Sequence, residues 1–173
     1  MRIKQNILYI FFVGDDFLKI NWKTLLKSVA IPLIVGGLSA LISMGGMKDF
    51  KNIKKPSFTP PMAVFPIAWT ILFILMGIAF YLVITSNTST IKLSNAIKLY
   101  GAQLAFNFFW SIWFFALSLY WFSFIWLIAL WVLIILTIIS FYKISKPAAY
   151  LLVPYLLWVT FAGVINFGVA LMN

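Results

Sequence analysis

Gln103 and Asn107 stand one helical turn apart in a stretch without charge, Leu99 to Tyr142, and Asn166 stands in another such stretch. None of these three amides ionises, and each offers both donors and an acceptor. Aromatic residues recur around them at helical spacing. Trp69, Phe73 and Phe80 are spaced four and seven apart. Gln103, Asn107, Trp110 and Phe114 form one stripe, with Ser111 beside it, and Pro154, Trp158, Ala162 and Asn166 repeat at every fourth position. Turned inward together, the stripes would line a cavity with indole and phenyl faces plus one or two amides. Its chemistry would be stacking with few hydrogen bonds, which suits a flat aromatic or sterol-sized ligand. The same stripes equally serve helix–helix packing, with a lone Asn as interhelical glue.

The missing residue types exclude other chemistry. No Asp, Glu, Lys or Arg falls within the long apolar runs, and the chain has neither His nor Cys. A proton- or ion-coupled pump needs a titratable relay inside the membrane, so that class is disfavoured. Zinc sites, thiol nucleophiles, imidazole bases and His-ligated haem iron are unavailable, and no metal or cofactor is expected.

The elements that must position these side chains are membrane spans. Of 173 residues 64% are hydrophobic and only 9% charged, with a mean hydropathy of +1.07. A soluble domain of this size has too little interior for so much apolar side chain, so lipid is the solvent. A bilayer core of about 30 Å needs roughly 20 helical residues. Uncharged runs extend over Ser28–Met47, Met62–Ile84, Leu99–Tyr142 and Pro147–Met172. The third is too long for one crossing and fits two, with a turn expected near Ser118–Ser123. The expected fold is all-α: one integral membrane bundle of five transmembrane helices over residues 21–173. Residues 1–20, with Arg2, Lys4 and an apolar run from Ile7 to Val13, read as a surface-lying extension or an upstream start.

The net charge is +10. The basic residues lie between apolar runs, so they face lipid head groups rather than nucleic acid. Arg2, Lys4, Lys19, Lys23, Lys27, Lys92, Lys98, Lys143 and Lys146 fall on one side, and Lys48, Lys51, Lys54 and Lys55 on the other. Nine against four favours a cytoplasmic N-terminus. The second group sits in a loop that continues as Pro56-Ser57-Phe58-Thr59-Pro60-Pro61. Pro60 and Pro61 stiffen it, and Pro66 falls in the first helical turn that follows. A stiff loop over the mouth of an apolar bundle resembles a lid, although a plain connector has the same composition. Small pairs at Gly36/Ala40 and Gly101/Ala105 permit close helix contact, within one chain or in a homodimer through the third helix.

Three blocks in order resemble the translocator protein family, also called the tryptophan-rich sensory protein or peripheral benzodiazepine receptor family. They are Lys55-Pro56-Ser57-Phe58-Thr59-Pro60-Pro61 with Phe65-Pro66-Ile67-Ala68-Trp69-Thr70, then Gln103 to Ser111, then Pro154 to Ala162 with Asn166. The resemblance covers Trp22 to Asn173 and is to bacterial-type members. It implies a five-helix bundle with a pocket open toward the first loop, often dimeric, that takes protoporphyrin IX and other tetrapyrroles, sterols or synthetic benzodiazepine-type compounds. By position, Trp69, Trp158, Asn107 and Trp110 match pocket residues. Ala162 matches the small residue that makes room for the ligand, and Pro60 and Phe65 match the lid and entrance. Asp49-Phe50 departs from the aromatic pair of many members, so Phe50 brings a ring without a hydroxyl. After Asn166 the chain reads Phe167-Gly168 and lacks the basic residue of the sterol motif, which favours porphyrins. The expected ligand-binding set is Phe50, Pro60, Phe65, Trp69, Phe73, Asn107, Trp110, Trp158, Ala162 and Asn166.

The leading function is therefore a receptor- or transporter-like protein for porphyrins in a bacterial cell membrane. The alternatives are light-dependent oxidative breakdown of the bound porphyrin, with tryptophans as electron donors, and a structural or partner-binding membrane protein whose aromatic faces only pack.

Overall fold

The computed structural model describes residues 20–50 and 52–173. The expectation for residues 1–20 lies outside it, save for Ile20. The described chain forms α1 (Trp22–Asp49), α2 (Val64–Ile84), α3 (Thr90–Ser111), a π-helical turn (Ile112–Ala116), α4 (Tyr120–Tyr142), a short α5 (Lys146–Leu151) and α6 (Val153–Met172). Helices α5 and α6 together make the fifth crossing. Helices α1, α2, α4 and the α5–α6 unit are long and apolar enough to span a membrane.

Helix α3 is the least apolar of the long helices. It begins at Thr90, nine residues before the expected Leu99, so Lys92 and Lys98 lie on its exposed first turns rather than in a loop. A charge does not end a helix whose lysines reach water or head groups, so the run of uncharged residues understated its length. Its buried face carries Tyr100, Gln103, Leu104, Asn107 and Trp110. The turn after it also comes early. The π turn closes with Leu117 N–H on the Ile112 carbonyl at 3.0 Å, Ser118 takes φ 52°, and α4 starts at Tyr120. Ser118 supplies the reversal, while Tyr120 and Ser123 belong to the next helix.

The helices close into a ring. Helix α1 packs on α2 and α3, α3 on α4, and α4 on both α5 and α6, while α2 completes the ring chiefly through α5. Asn21 caps α1 by accepting from Thr24 N–H at 3.1 Å, and its own N–H donates to the Tyr81 hydroxyl at the end of α2. Apolar side chains such as Ile125, Leu157 and Leu171 face lipid, while Met76, Leu130, Ile134 and Tyr155 fill the centre. Leu152 interrupts the fifth crossing just before Pro154, which has no N–H to continue the ladder.

Backbone approaches hold α1 in place. A Cβ on Gly77 would lie 2.4 Å from the Cα of Val29, and one on Gly46 would lie 1.7 Å from the Phe115 carbonyl oxygen. Neither neighbour can yield, because both are backbone. A Gly46→Ala protein is expected to lose about 1–3 kcal/mol of stability by overpacking. Gly37, with nothing within 4 Å of its Cβ position, should gain about 0.5–1 kcal/mol as Gly37→Ala through helix propensity. Thermal melts in detergent check the opposite signs.

Candidate functional site

Three helices leave a cavity of about 220 Å³ between them, at the end of the bundle where the α1–α2 loop crosses. Helix α2 supplies the large surfaces, Phe65, Trp69 and Phe73. Helix α3 and the π turn supply Asn107, Trp110, Ser111 and Phe115. Helix α1 supplies Gly36, Ser39, Ala40 and Met47, and Met62 comes from the loop. The cavity exists because one wall is small. A Cβ on Gly36 would strike the Phe73 ring at 2.0 Å, so the missing side chain lets that ring lie against α1.

The rings form one connected set. Trp69 stacks on Phe73 at 5.5 Å and meets Trp110 at 6.2 Å and Tyr155 at 6.1 Å, centroid to centroid. Trp110 stacks on Phe114 at 5.6 Å. The polar atoms at the walls are held in place. Ser39 Oγ donates to the Phe108 carbonyl at 2.7 Å, and Ser43 and Ser111 share a hydrogen bond of 3.0 Å. Asn107 Nδ2 donates to the Tyr155 hydroxyl at 3.0 Å. No lining side chain is ionisable, so a ligand here would be held by stacking, dispersion and neutral hydrogen bonds.

The ten residues singled out in the sequence fall in three places. Phe65, Trp69, Phe73, Asn107 and Trp110 line the cavity. Phe50, Ala162 and Asn166 are buried behind it. Phe50 packs its ring against Phe65, Phe114 and Phe115. Asn166 is a strut: its Oδ1 accepts from Trp110 Nε1 and Ser123 Oγ, both at 3.1 Å, and its Nδ2 donates to the Tyr120 carbonyl at 2.9 Å. Pro60 lies in the loop and Trp158 on an outer groove between α2 and α6, with the Phe65 ring 6.0 Å away. A strict four-residue repeat advances about 40° per step on a helix, so Pro154, Trp158, Ala162 and Asn166 wind from the lipid face to the interior.

Sequence reasoning missed the α1 wall. Gly36/Ala40 reads as a packing pair, yet both residues face the cavity; small neutral side chains carry no signal that separates the two. Gln103 was legible as buried and polar, and it is 1% exposed with neither amide atom bonded to a described residue. It sits one turn below Asn107 and does not reach the cavity wall.

The loop is fastened to the far end of α6. Asn173 Oδ1 accepts from Lys54 N–H at 3.3 Å, and its Nδ2 donates to the Lys54 carbonyl at 2.8 Å. Pro56 rests where a Cβ on Gly168 would be, 2.4 Å from Pro56 Cγ. Lys55 Nζ donates to the Phe50 carbonyl at 3.0 Å and lies 5.3 Å from that ring's centroid.

The TspO/MBR family profile matches residues 28–172. The chain belongs to the TspO/MBR family. It is 39% identical to the tryptophan-rich protein TspO of Chlorobaculum tepidum over 124 residues, 72% of this chain and 78% of that protein. It is 35% identical to the protein of the same name from Archaeoglobus fulgidus, over 88% of this chain and 99% of that one. The human translocator protein is 32% identical over 72% of this chain and 74% of its own length. As in the family, the bundle is a helical membrane protein.

The strut and the cavity amide should differ in cost. Asn166→Leu removes three hydrogen bonds and strands the Trp110 N–H, while Ser123 Oγ keeps its bond to the Tyr120 carbonyl; Asn107→Leu removes one bond, that to the Tyr155 hydroxyl. At about 0.5–1.5 kcal/mol per hydrogen bond lost, Asn166→Leu should melt below Asn107→Leu in the same detergent.

Proposed function

We propose that this family member binds protoporphyrin IX and other flat hydrophobic molecules in the aromatic cavity, as a receptor- or transporter-like protein of a bacterial cell membrane. The observation that carries the reading is the wall of Phe65, Trp69, Phe73 and Trp110 beside a neutral amide, Asn107. Such a wall offers wide ring faces to a macrocycle and no charge that would need a counter-ion. The cavity is smaller than the roughly 300–1,000 Å³ of typical ligand sites, so a tetrapyrrole is accommodated only as the rings and loop give way. Its acidic side groups would point toward the exposed Lys48 and Lys54 at the loop end of α1.

Gly101 and Ala105 are exposed one turn apart on α3, and a Cβ on Gly101 would meet nothing within 4 Å. This supports a homodimer through α3, where backbones approach closely. Lys92, Lys98, Lys143 and Lys146 lie at the end of the bundle opposite the cavity loop, which supports an N-terminus on the cytoplasmic side.

Thermal stability in detergent, in the dark, tests the binding. Protoporphyrin IX at 100 times its dissociation constant should stabilise the folded state by about 2.7 kcal/mol. The shift should be saturable and should shrink sharply in Trp69→Leu, which removes the stacking face but keeps apolar bulk. A folded protein whose melting point ignores the porphyrin would remove it as the ligand and leave a packing role.

A further inference from the structure

The cavity has a second neighbour besides the loop. On the outside of the bundle a groove of about 460 Å³ runs between α2 and α6, lined by Ala68, Ile71, Leu72, Leu157 and Trp158 among others. It forms because α2 makes its close contacts with α5, while α6 departs beyond the break at Leu152 and Pro154. Ile71 and Leu157 are exposed there, so in a bilayer the groove opens on acyl chains.

A ring pair stands between this groove and the cavity. Trp158 lines the groove, Phe65 lines the cavity, and the two meet edge to face at 6.0 Å and 71°. The indole of Trp158 is not tethered. Trp110, Trp126 and Trp131 each donate their N–H to an acceptor. The N–H of Trp158 is buried and has no partner among the described residues. Rotating Trp158 therefore disturbs ring contacts with Phe65 and Phe161 and breaks no hydrogen bond. The loop route is harder to open. It requires release of both Asn173 contacts with Lys54, of Lys55 from Phe50, and of Pro56 from its seat on Gly168.

We propose that the α2–α6 groove is a docking site and lateral doorway for ligands already dissolved in the bilayer, with Phe65 and Trp158 as the door. A flat apolar molecule first lies in the groove against the indole face, then passes between the two rings into the cavity. A molecule of this class partitions into the hydrocarbon, and a lateral path never returns its apolar surface to water. The Trp158 N–H, buried and without a partner among the described residues, would become one hydrogen-bond donor for it as the ring turns. The proposal rests on the binding function above.

The absence of cysteine from the sequence makes the doorway testable. Leu157→Cys, at an exposed groove position, is folded into phosphatidylcholine vesicles and then alkylated with N-cyclohexylmaleimide, so that one folded sample is compared before and after plugging. Protoporphyrin IX binding is followed in the dark by stopped-flow quenching of tryptophan fluorescence. Plugging should slow association about tenfold and slow dissociation in parallel, leaving the equilibrium affinity nearly unchanged, because a blocked path alters both rates alike. Asn173→Ala, which unfastens the loop, should leave the association rate unchanged. An unaltered rate after alkylation, or a faster one in Asn173→Ala, overturns the doorway and assigns access to the loop. If the unalkylated protein shows no saturable quenching, the binding function itself is wrong and the doorway falls with it.

Discussion

Lipid removes the usual reason for helices to associate. An apolar side chain gains little by leaving acyl chains for another helix, so what holds this bundle is close backbone contact and hydrogen bonds that have no water to replace them. Both are concentrated around α1 and the π turn. Gly46 lets α1 touch the backbone of the turn, Ser39 and Ser43 bond Ser111 just before it, and Gly77 brings α2 against Ser28 and Val29. On the other side of the turn Asn166 joins Trp110, Ser123 and Tyr120. The reversal between α3 and α4 is thereby held by α1 from one side and by α6 from the other.

The cavity is a by-product of that bracing. Trp110 is oriented by Asn166, and its indole presents a fixed face to Trp69. Asn107 is oriented by Tyr155. The aromatic walls come from α2 and α3, and the space comes from the small residues of α1. A site of this kind is apolar yet specific in shape, because its rings are positioned by buried polar partners one layer behind them.

The loop and the fifth crossing divide the surroundings of the cavity unequally. The loop is stiffened by proline, clasped by Asn173 and seated on Gly168. On the α2–α6 side the rings of Phe65 and Trp158 meet between cavity and lipid with no hydrogen bond across them among the described residues. For a ligand dissolved in the bilayer, that difference in restraint bears on how the site would be reached, since the weaker wall faces the phase where such a ligand is concentrated.

Composition and the uncharged runs alone determined the solvent, the all-α class and the number of crossings, because hydropathy over about 20 residues is set by the bilayer and not by neighbours. The α3 stripe of Gln103, Asn107, Trp110 and Phe114 was also legible, since steps of four, three and four keep one face of a helix. Other features were decided only in three dimensions. The start of α3 at Thr90 depends on lysines reaching past the hydrocarbon. The π turn depends on α1 and Asn166 bracing it. The outward placement of Trp158, the strut role of Asn166 and the cavity-lining role of Gly36 depend on which face of a drifting helix meets which neighbour. A spacing rule gives the faces of each helix, but the rotation of one helix against another is set by contacts between residues far apart in the chain.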